Sequence, residues 1–297
     1  MLSIALPKGS LEQGTLDLFA RAGMKVRRPS ARSLRADIVH PGIVGVHFHK
    51  PQEIPGFVEG GIYDLGITGG DWIREKNAKV DVLGSFGYSR STDRPWRLVL
   101  AVHDDAPVGC PGDLAPGSRI ATEYPELTKG YFERVGVDVE IVPSRGATES
   151  AVPNIADAIV DVMDTGTSLR DNGLRMIDTI GTYRVEVVAS LEAVRDERRL
   201  RVVEEVLFLL RSAAEAEGLV MLTIRVDADR AADVLGRLPD SAWASEVSTT
   251  AGAMSCVVQA VVAESDATRL LVEVSEAGAT LVSESPILRV AQGFQTP

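Results

Sequence analysis

Between residues 157 and 169 the chain reads DAIVDVMDTGTSL, and this stretch limits the fold more than any other. Ala158, Ile159, Val160, Val162 and Met163 form a short apolar run, the pattern of a strand buried on both faces. Thr165-Gly166-Thr167-Ser168 follows at once. Glycine lets the backbone turn tightly, and Thr167 or Ser168 can cap a helix that Leu169, Leu174 and Ile177 continue. The expected unit is a buried strand, a tight turn and a helix start. Such a start presents unpaired N–H groups and the positive end of the helix dipole, so an anion sits there readily. With hydroxyl donors alongside, a phosphate monoester fits. A well-capped strand–turn–helix with no ligand also accounts for these residues.

Asp161 lies five residues before Gly166, a spacing that resembles phosphoribosyltransferases, in which an acid of the strand reaches the ribose hydroxyls. Asp157 is four residues earlier and falls on the same strand face by the period of two. The chain has 297 residues and a formal net charge of −11. That length suits two or three domains, and an acidic chain without a long basic run argues against a nucleic-acid partner. Cys110 and Cys256 form neither a disulfide framework nor a zinc spacing, which points to a reducing, cytoplasmic setting. No apolar stretch is long enough to span a bilayer.

In chain order, residues 2–6 suit a strand, Pro7-Lys8-Gly9-Ser10 a turn, and Leu11, Leu18, Phe19 and Ala22 a helix stopped by Gly23. Lys8 then lies at the C-terminal end of a strand, the edge where open α/β sheets bind ligands. Residues 27–39 read as loop and edge strand. Residues 44–48 alternate as a strand, with His47 and His49 on one side and no third metal ligand in view. A short helix is expected over 53–59. A strand over 65–68 leads to Gly69-Gly70, a flexible turn open to ligand approach, with Asp71 as the N-cap of a helix holding Trp72 and Ile73.

A second lobe begins with a strand at 96–102 and a surface loop at 107–116. A strand from 119, a helix over 126–134 stopped by Gly136, a strand at 137–142 and a turn at 146–149 follow. This alternation implies parallel sheets. Residues 200–216 form a long amphipathic helix ended by Gly218. Beyond it the expected order is strand 219–226, helix 227–238, strands near 246–248 and 255–262, helix 264–277 and strand 280–283. That is the βαββαβ order of a ferredoxin-like unit.

Five stretches read together: LPKGSL at 6–11, DLGITGGDW at 64–72, RIATEYPELT at 119–128, GATES at 146–150 and ADAIVDVMDTGTSLRDNGL at 156–174. In that order and spacing they resemble the ATP phosphoribosyltransferase family of histidine biosynthesis, in its long form with a regulatory domain. The resemblance implies an α/β fold of two periplasmic-binding-protein-like lobes plus a C-terminal ferredoxin-like domain. The expected boundaries are 1–94 with 183–217 for lobe I, 95–182 for lobe II and 218–297 for the regulatory and assembly domain. It implies transfer of phosphoribose from phosphoribosyl pyrophosphate to N1 of ATP with release of pyrophosphate, with Mg2+ as the cofactor. It also implies a homo-oligomer, dimer or hexamer, and a small-molecule effector at the C-terminal domain, with neither nucleic acid nor membrane as partner.

Carried over by position, the 5′-phosphate belongs on Thr165, Gly166, Thr167 and Ser168, and the ribose hydroxyls face Asp161 with Asp157 nearby. Lys8 and Gly9 meet the diphosphate, and Asp161 and Lys8 are the catalytic pair. Gly69, Gly70 and Asp71 line the nucleotide side, and Lys50 and Glu149 complete the substrate contacts. No protein metal-ligand set is assigned. The chain departs from the family pattern at Ser10 and Lys50, where arginine is common, and at Asp164, where a small residue is usual. Lysine lacks the bidentate fork of arginine. Ser245-Glu246-Val247 stands where long-form members usually read Ser-Pro-Thr, so histidine feedback is not expected to be strong. Two further functions stay open: a paralogue acting on another nitrogen heterocycle, and a non-catalytic ligand-binding regulatory protein.

Overall fold

The computed structural model describes residues 1–88, 94–240, 255–291 and the backbone of 245–249. They form two compact units, Met1–Leu207 and Phe208–Pro297. The first unit runs β1 (Leu2–Pro7), α1 (Glu12–Arg21), β2 (Val26–Arg27), β3 (Arg35–Ile38), β4 (Ile43–His49), α2 (Ile54–Glu59), β5 (Leu65–Gly69), α3 (Gly70–Glu75) and β6 (Asp81–Phe86). It continues with β7 (Trp96–His103), β8 (Ser118–Thr122), α4 (Pro125–Val135), β9 (Val139–Pro143), β10 (Ala158–Met163), α5 (Thr167–Asp171), β11 (Leu174–Tyr183), β12 (Val185–Ala189) and α6 (Leu191–Arg195). The unit boundary falls inside α7 (Glu197–Glu215).

Two sheets organise this unit, a seven-stranded one in the order β2-β3-β4-β1-β5-β12-β6 and a five-stranded one in the order β11-β7-β10-β8-β9. They are mixed rather than parallel. β1 pairs parallel with β4 and β5, and β8 with β9 and β10. By contrast, β12 lies antiparallel to β5 and β6, and β7 antiparallel to β10 and β11. Parallel neighbours need a crossover between them. The chain passes from the first sheet to the second between β6 and β7 and returns between β11 and β12, with no helix among the described residues of either passage. Within each sheet the outgoing and returning strands pair antiparallel, β6 with β12 and β7 with β11.

β10 confirms the buried-strand reading, since Ala158, Ile159 and Val160 are fully buried at the centre of the five-stranded sheet. Burial of Ile159 and Val160 stabilises the fold by roughly 1.5–3 kcal/mol each. Helix ends follow local chemistry. Pro125 opens α4, where its missing N–H costs nothing, and Gly136 closes it at φ +77° in the left-handed region. The helix expected after the TGT turn is only α5. Asn172 and Gly173 end it, Gly173 at φ +63°, so Leu174 and Ile177 belong to β11, where Leu174 pairs with His103 of β7.

The second unit contains β13 (Leu219–Asp227), α8 (Ala231–Leu235), β14 (Ser245–Thr249), β15 (Ser255–Ala263), α9 (Glu264–Glu276) and β16 (Ala279–Pro286). The strands pair antiparallel in the order β14-β15-β13-β16, which is the ferredoxin-like arrangement. Val220, Leu222, Ile224 and Val226 alternate along β13 into a core shared with Val258, Ala260 and Val262 of β15 and with Leu270 and Val274 of α9. The helix expected over 227–238 is confined to α8, because Gly236 and Pro239 follow it. Thr250 and the side chains of 245–249, which bear on histidine feedback, lie outside the described residues. No helix among the described residues is long and apolar enough to cross a membrane.

Candidate functional site

β8, β9 and β10 run parallel, with Ala158 opposite Ile120 and Thr122 opposite Pro143. Their C-terminal ends therefore deliver three segments to one edge of the sheet. Glu123 and Tyr124 follow β8, Gly146, Ala147 and Glu149 follow β9, and Asp161 to Leu169 end β10 and open α5. Together they line a cavity of about 480 Å³. Asp161, Glu149 and all four members of the Thr165–Ser168 turn lie on it. Among the described residues that line it, four are carboxylates (Glu123, Glu149, Asp161 and Asp164), and none is Lys or Arg.

The turn is built differently from the expected cap. Gly166 itself is the N-cap, at φ +76°, and no side chain caps α5. The Thr165 and Thr167 hydroxyls lie 3.1 Å apart. The Ser168 hydroxyl donates to Glu149, and the Gly146 N–H donates to Glu123 Oε1 at 2.7 Å. Asp161 Oδ1 accepts from the Val162 N–H at 2.6 Å. Arg170 donates from Nη2 to Thr167 Oγ1 at 3.2 Å. The donors and acids expected around a phosphoribosyl group are thus assembled, several of them satisfied by one another.

Asp157 is not part of this assembly. It lies four positions along the chain from Asp161, roughly 13 Å at about 3.3 Å per residue. It faces a separate cavity of about 500 Å³ with His103, Ser118 and Pro153. Its Oδ2 accepts from the Arg119 N–H at 2.8 Å, and the Arg119 side chain adds contacts at 3.3 and 3.4 Å. The Arg119 backbone N–H, followed by its guanidinium, holds the Asp157 carboxyl below the usual carboxylate range. Sharing a strand face with Asp161 is compatible with lying at its opposite end.

Lys8, Gly9, Lys50, Gly69 and Gly70 gather on the C-terminal edge of the seven-stranded sheet. Pro7 pairs with His49, the Lys8 N–H donates to His49 O at 2.7 Å, and Ala5 pairs with Gly66 of β5. None of the five lines the 480 Å³ cavity. The Gly69-Gly70 pair is not an open turn: Gly69 ends β5 and Gly70 begins α3, both buried. A Cβ on Gly69 would meet Asp71 Oδ1 at 2.1 Å, and one on Gly70 would meet Glu186 Oε1 at 2.5 Å. These glycines make room for the protein's own side chains.

Asp71, expected as an N-cap, is corrected to a buried residue inside the first turn of α3, 1% exposed. Gly69 holds the cap position. Asp71 Oδ2 accepts from Trp96 Nε1 and from the Tyr124 hydroxyl, each at 3.0 Å. One turn later Glu75 accepts from the N–H groups of Glu126 and Leu127 at 3.1 and 3.0 Å, and Trp72 stacks on Tyr124 with ring centres 4.3 Å apart. The helix α3 therefore fixes the segment that supplies Glu123 and Tyr124 to the cavity wall. His47 and His49 share a face as expected, and His49 Nε2 lies 2.8 Å from the Tyr63 hydroxyl. Among the described residues no three His, Cys, Asp or Glu side chains converge as a metal site.

Sequence reasoning missed Glu123, Tyr124, Glu75 and Arg170. Glu123 and Tyr124 had a signal, because they directly follow a strand parallel to β10. Glu75 had none, since only tertiary packing brings it to Glu126 and Leu127, whereas Arg170 meets Thr167 only three residues away.

A family model described as HisG, ATP phosphoribosyltransferase, matches residues 50–212. The chain is 36% identical to an ATP phosphoribosyltransferase of Trichlorobacter lovleyi, across 98% of this chain and 99% of that protein. It is 37% identical to one of Methanocella arvoryzae, across 98% of this chain and all of that protein. It is 40% identical to one of Nitratidesulfovibrio vulgaris, across 80% of each. Among solved structures it resembles a chain of the ATP phosphoribosyl transferase (HisG:HisZ) complex of Thermotoga maritima. That match has a TM-score of 0.60 and 27% identity, over 71% of this chain and 99% of that one.

Proposed function

The chain belongs to the ATP phosphoribosyltransferase family, and on that premise we propose how its residues perform the first step of histidine biosynthesis. N1 of ATP's adenine attacks C1′ of phosphoribosyl pyrophosphate, the C1′–O bond to the diphosphate breaks, and pyrophosphate leaves. The positive charge this places on the adenine is relieved by loss of an N6 proton. Adenine N1 carries a free lone pair at neutral pH, so alignment of the substrates and neutralisation of the leaving group are the main tasks.

One observation carries the reading: Asp161 and the Thr165–Ser168 turn line a single cavity at the end of β10. The turn takes the 5′-phosphate through backbone N–H groups and hydroxyls. Asp161 takes the ribose hydroxyls, and Glu149 exchanges its Ser168 bond for the substrate. Lys8, Gly9 and Lys50, on the neighbouring sheet edge, receive the diphosphate. Gly70 belongs to the nucleotide side through its backbone, whereas Asp71 acts there by holding Tyr124. Asp157 keeps a structural role with Arg119.

The family's chemistry uses a divalent metal ion, which we assign as Mg2+. Magnesium is held by one or two carboxylates plus substrate phosphates rather than by a protein cage, and the carboxylates of Asp161 and Asp164 on the cavity suit it. When bound it would neutralise charge on the diphosphate. The same proposal divides the chain into lobe I (1–94 with 183–217), lobe II (95–182) and an effector and assembly domain (218–297), acting as a homo-oligomer in the cytoplasm.

The test is a pyrophosphate-release assay with phosphoribosyl pyrophosphate against a panel of nitrogen-heterocycle acceptors including ATP. Release with ATP supports the assignment. Release only with another base would make the chain a paralogue, a change for which Ser10, Lys50 and Asp164 would be the starting point. No release with any acceptor would favour a ligand-binding protein.

A further inference from the structure

Among the described residues, the cavity at the end of β10 is lined by four carboxylates and by no lysine or arginine, yet its assigned ligand carries a phosphate dianion. Backbone N–H groups and hydroxyls alone would have to hold that dianion against the surrounding negative charge. Among the described residues, the Arg170 guanidinium touches the turn. Arg170 belongs to α5 and is exposed. Its side chain reaches back over the turn, donating from Nη2 to Thr167 Oγ1 at 3.2 Å. Its Nη1 lies 3.4 Å from where a Gly166 Cβ would stand. The guanidinium is therefore held beside Gly166 and Thr167 of the turn.

We propose that Arg170 is a binding residue for the 5′-phosphate, supplying the positive charge that the cavity lining lacks. This rests on the reading that the Thr165–Ser168 turn is the phosphate seat. Arg170 spends a donor on a neutral hydroxyl, Thr167 Oγ1. A phosphate oxygen is a much stronger acceptor, and the planar fork can take two of them. Arg170 moves from Thr167 Oγ1 to the phosphate, and the released Thr167 hydroxyl turns to donate to the same group. Attraction to Arg170 also offsets the repulsion from Asp164 beside the turn. The preference that follows is for a terminal phosphate monoester on ribose, since the unphosphorylated sugar gains nothing from the guanidinium.

The experiment measures affinities of the full chain by calorimetry for phosphoribosyl pyrophosphate, ribose 5-phosphate and inorganic pyrophosphate. A charge-assisted bond of this type changes affinity about 10–100-fold. Arg170→Ala is expected to weaken ribose 5-phosphate and phosphoribosyl pyrophosphate by that factor, with pyrophosphate binding unchanged. Arg170→Lys should recover part of the loss. Arg145→Ala serves as a control, because Arg145 precedes the wall residue Gly146 and removes the same charge without touching the turn. Circular dichroism verifies the fold of each variant, with Arg170→Gln replacing the alanine variant if that one unfolds. Wild-type affinity for ribose 5-phosphate in a folded Arg170 variant overturns the proposal. So does an equal loss in Arg145→Ala, or an equal loss for pyrophosphate, since either means a general field rather than a contact. A wild-type chain that binds neither phosphoribosyl pyrophosphate nor ribose 5-phosphate removes the phosphate seat itself, and Arg170's role with it.

Discussion

Replacing Glu75 tests whether α3 holds the cavity wall in place. Glu75 is 4% exposed, and its two oxygens accept from Glu126 N and Leu127 N, at the first turn of α4. Tyr124 occupies the N-cap of α4 without a side-chain cap, so Glu75 performs the capping from another helix. Glu75→Ala leaves two N–H groups without these acceptors, at roughly 1–3 kcal/mol each where they are buried, and removes a charge favourable to the helix dipole. The desolvation that Glu75 itself suffers offsets part of this. A net loss of about 2–4 kcal/mol is expected, which lowers the melting temperature of a unit this size by roughly 5–15 °C. Glu75→Gln keeps one acceptor and turns a donor toward the other N–H, so about half the loss should remain.

The pH dependence has a definite sign. Burial pushes the Glu75 carboxyl above its usual value, against the lowering effect of the two N–H bonds. A group with a raised folded pKa contributes stability that is complete below its unfolded pKa and is lost as pH rises through the folded one. The stability gap between wild type and Glu75→Gln should therefore narrow with rising pH across that window. Urea denaturation of the three proteins at several pH values gives both quantities. A Glu75→Ala protein within about 0.5 kcal/mol of wild type would refute the capping role.

Four further outcomes are expected. Gly166→Val places a β-branched residue at φ +76°, with its Cβ 3.3 Å from Met163 Sδ, and should abolish phosphoribosyl pyrophosphate binding while the protein stays folded; unchanged affinity in calorimetry would contradict the phosphate seat. Asp161→Asn should lower turnover far more than stability, and full activity would move the ribose contact to another acid of the cavity. Asp157→Asn should leave substrate affinity intact and cost under about 1 kcal/mol, because the ion pair is largely exposed; that increment is present above the ordinary aspartate pKa and disappears as pH falls through the depressed one, as pH-dependent melting would reveal. Histidine titrated during turnover should inhibit weakly or not at all, since Glu246 and Val247 stand where long-form members usually carry Pro and Thr, and strong inhibition would show that the alignment there is shifted.

Much of the fold was legible because its signals are local. The apolar run of β10, the glycines that end α1 and α4, and the βαββαβ order beyond Gly218 all follow from periodicity and turn chemistry. The extent of α5 was misjudged because Leu169, Leu174 and Ile177 fit a helical spacing, while Asn172 and Gly173 break the helix between them. Strand direction was misjudged because alternation of elements does not reveal where a chain changes sheets. Within the site, residues on β10 and its turn could be named from spacing alone. Asp71 and the Gly69-Gly70 pair could not be interpreted, since a glycine opened for a ligand and one opened for a neighbouring side chain look identical in sequence.

The contacts of α3 also give the protein an intrinsic optical reporter. The chain has three tryptophans, and two of them meet at this helix. Trp72 stacks on the cavity residue Tyr124, and the Trp96 indole N–H donates to Asp71, which also holds the Tyr124 hydroxyl. Any ligand that displaces Tyr124 alters the surroundings of both indoles together. Their emission wavelength and quenching should then follow occupancy of the cavity in unlabelled protein, fast enough to separate the binding event from the chemistry in a stopped-flow trace.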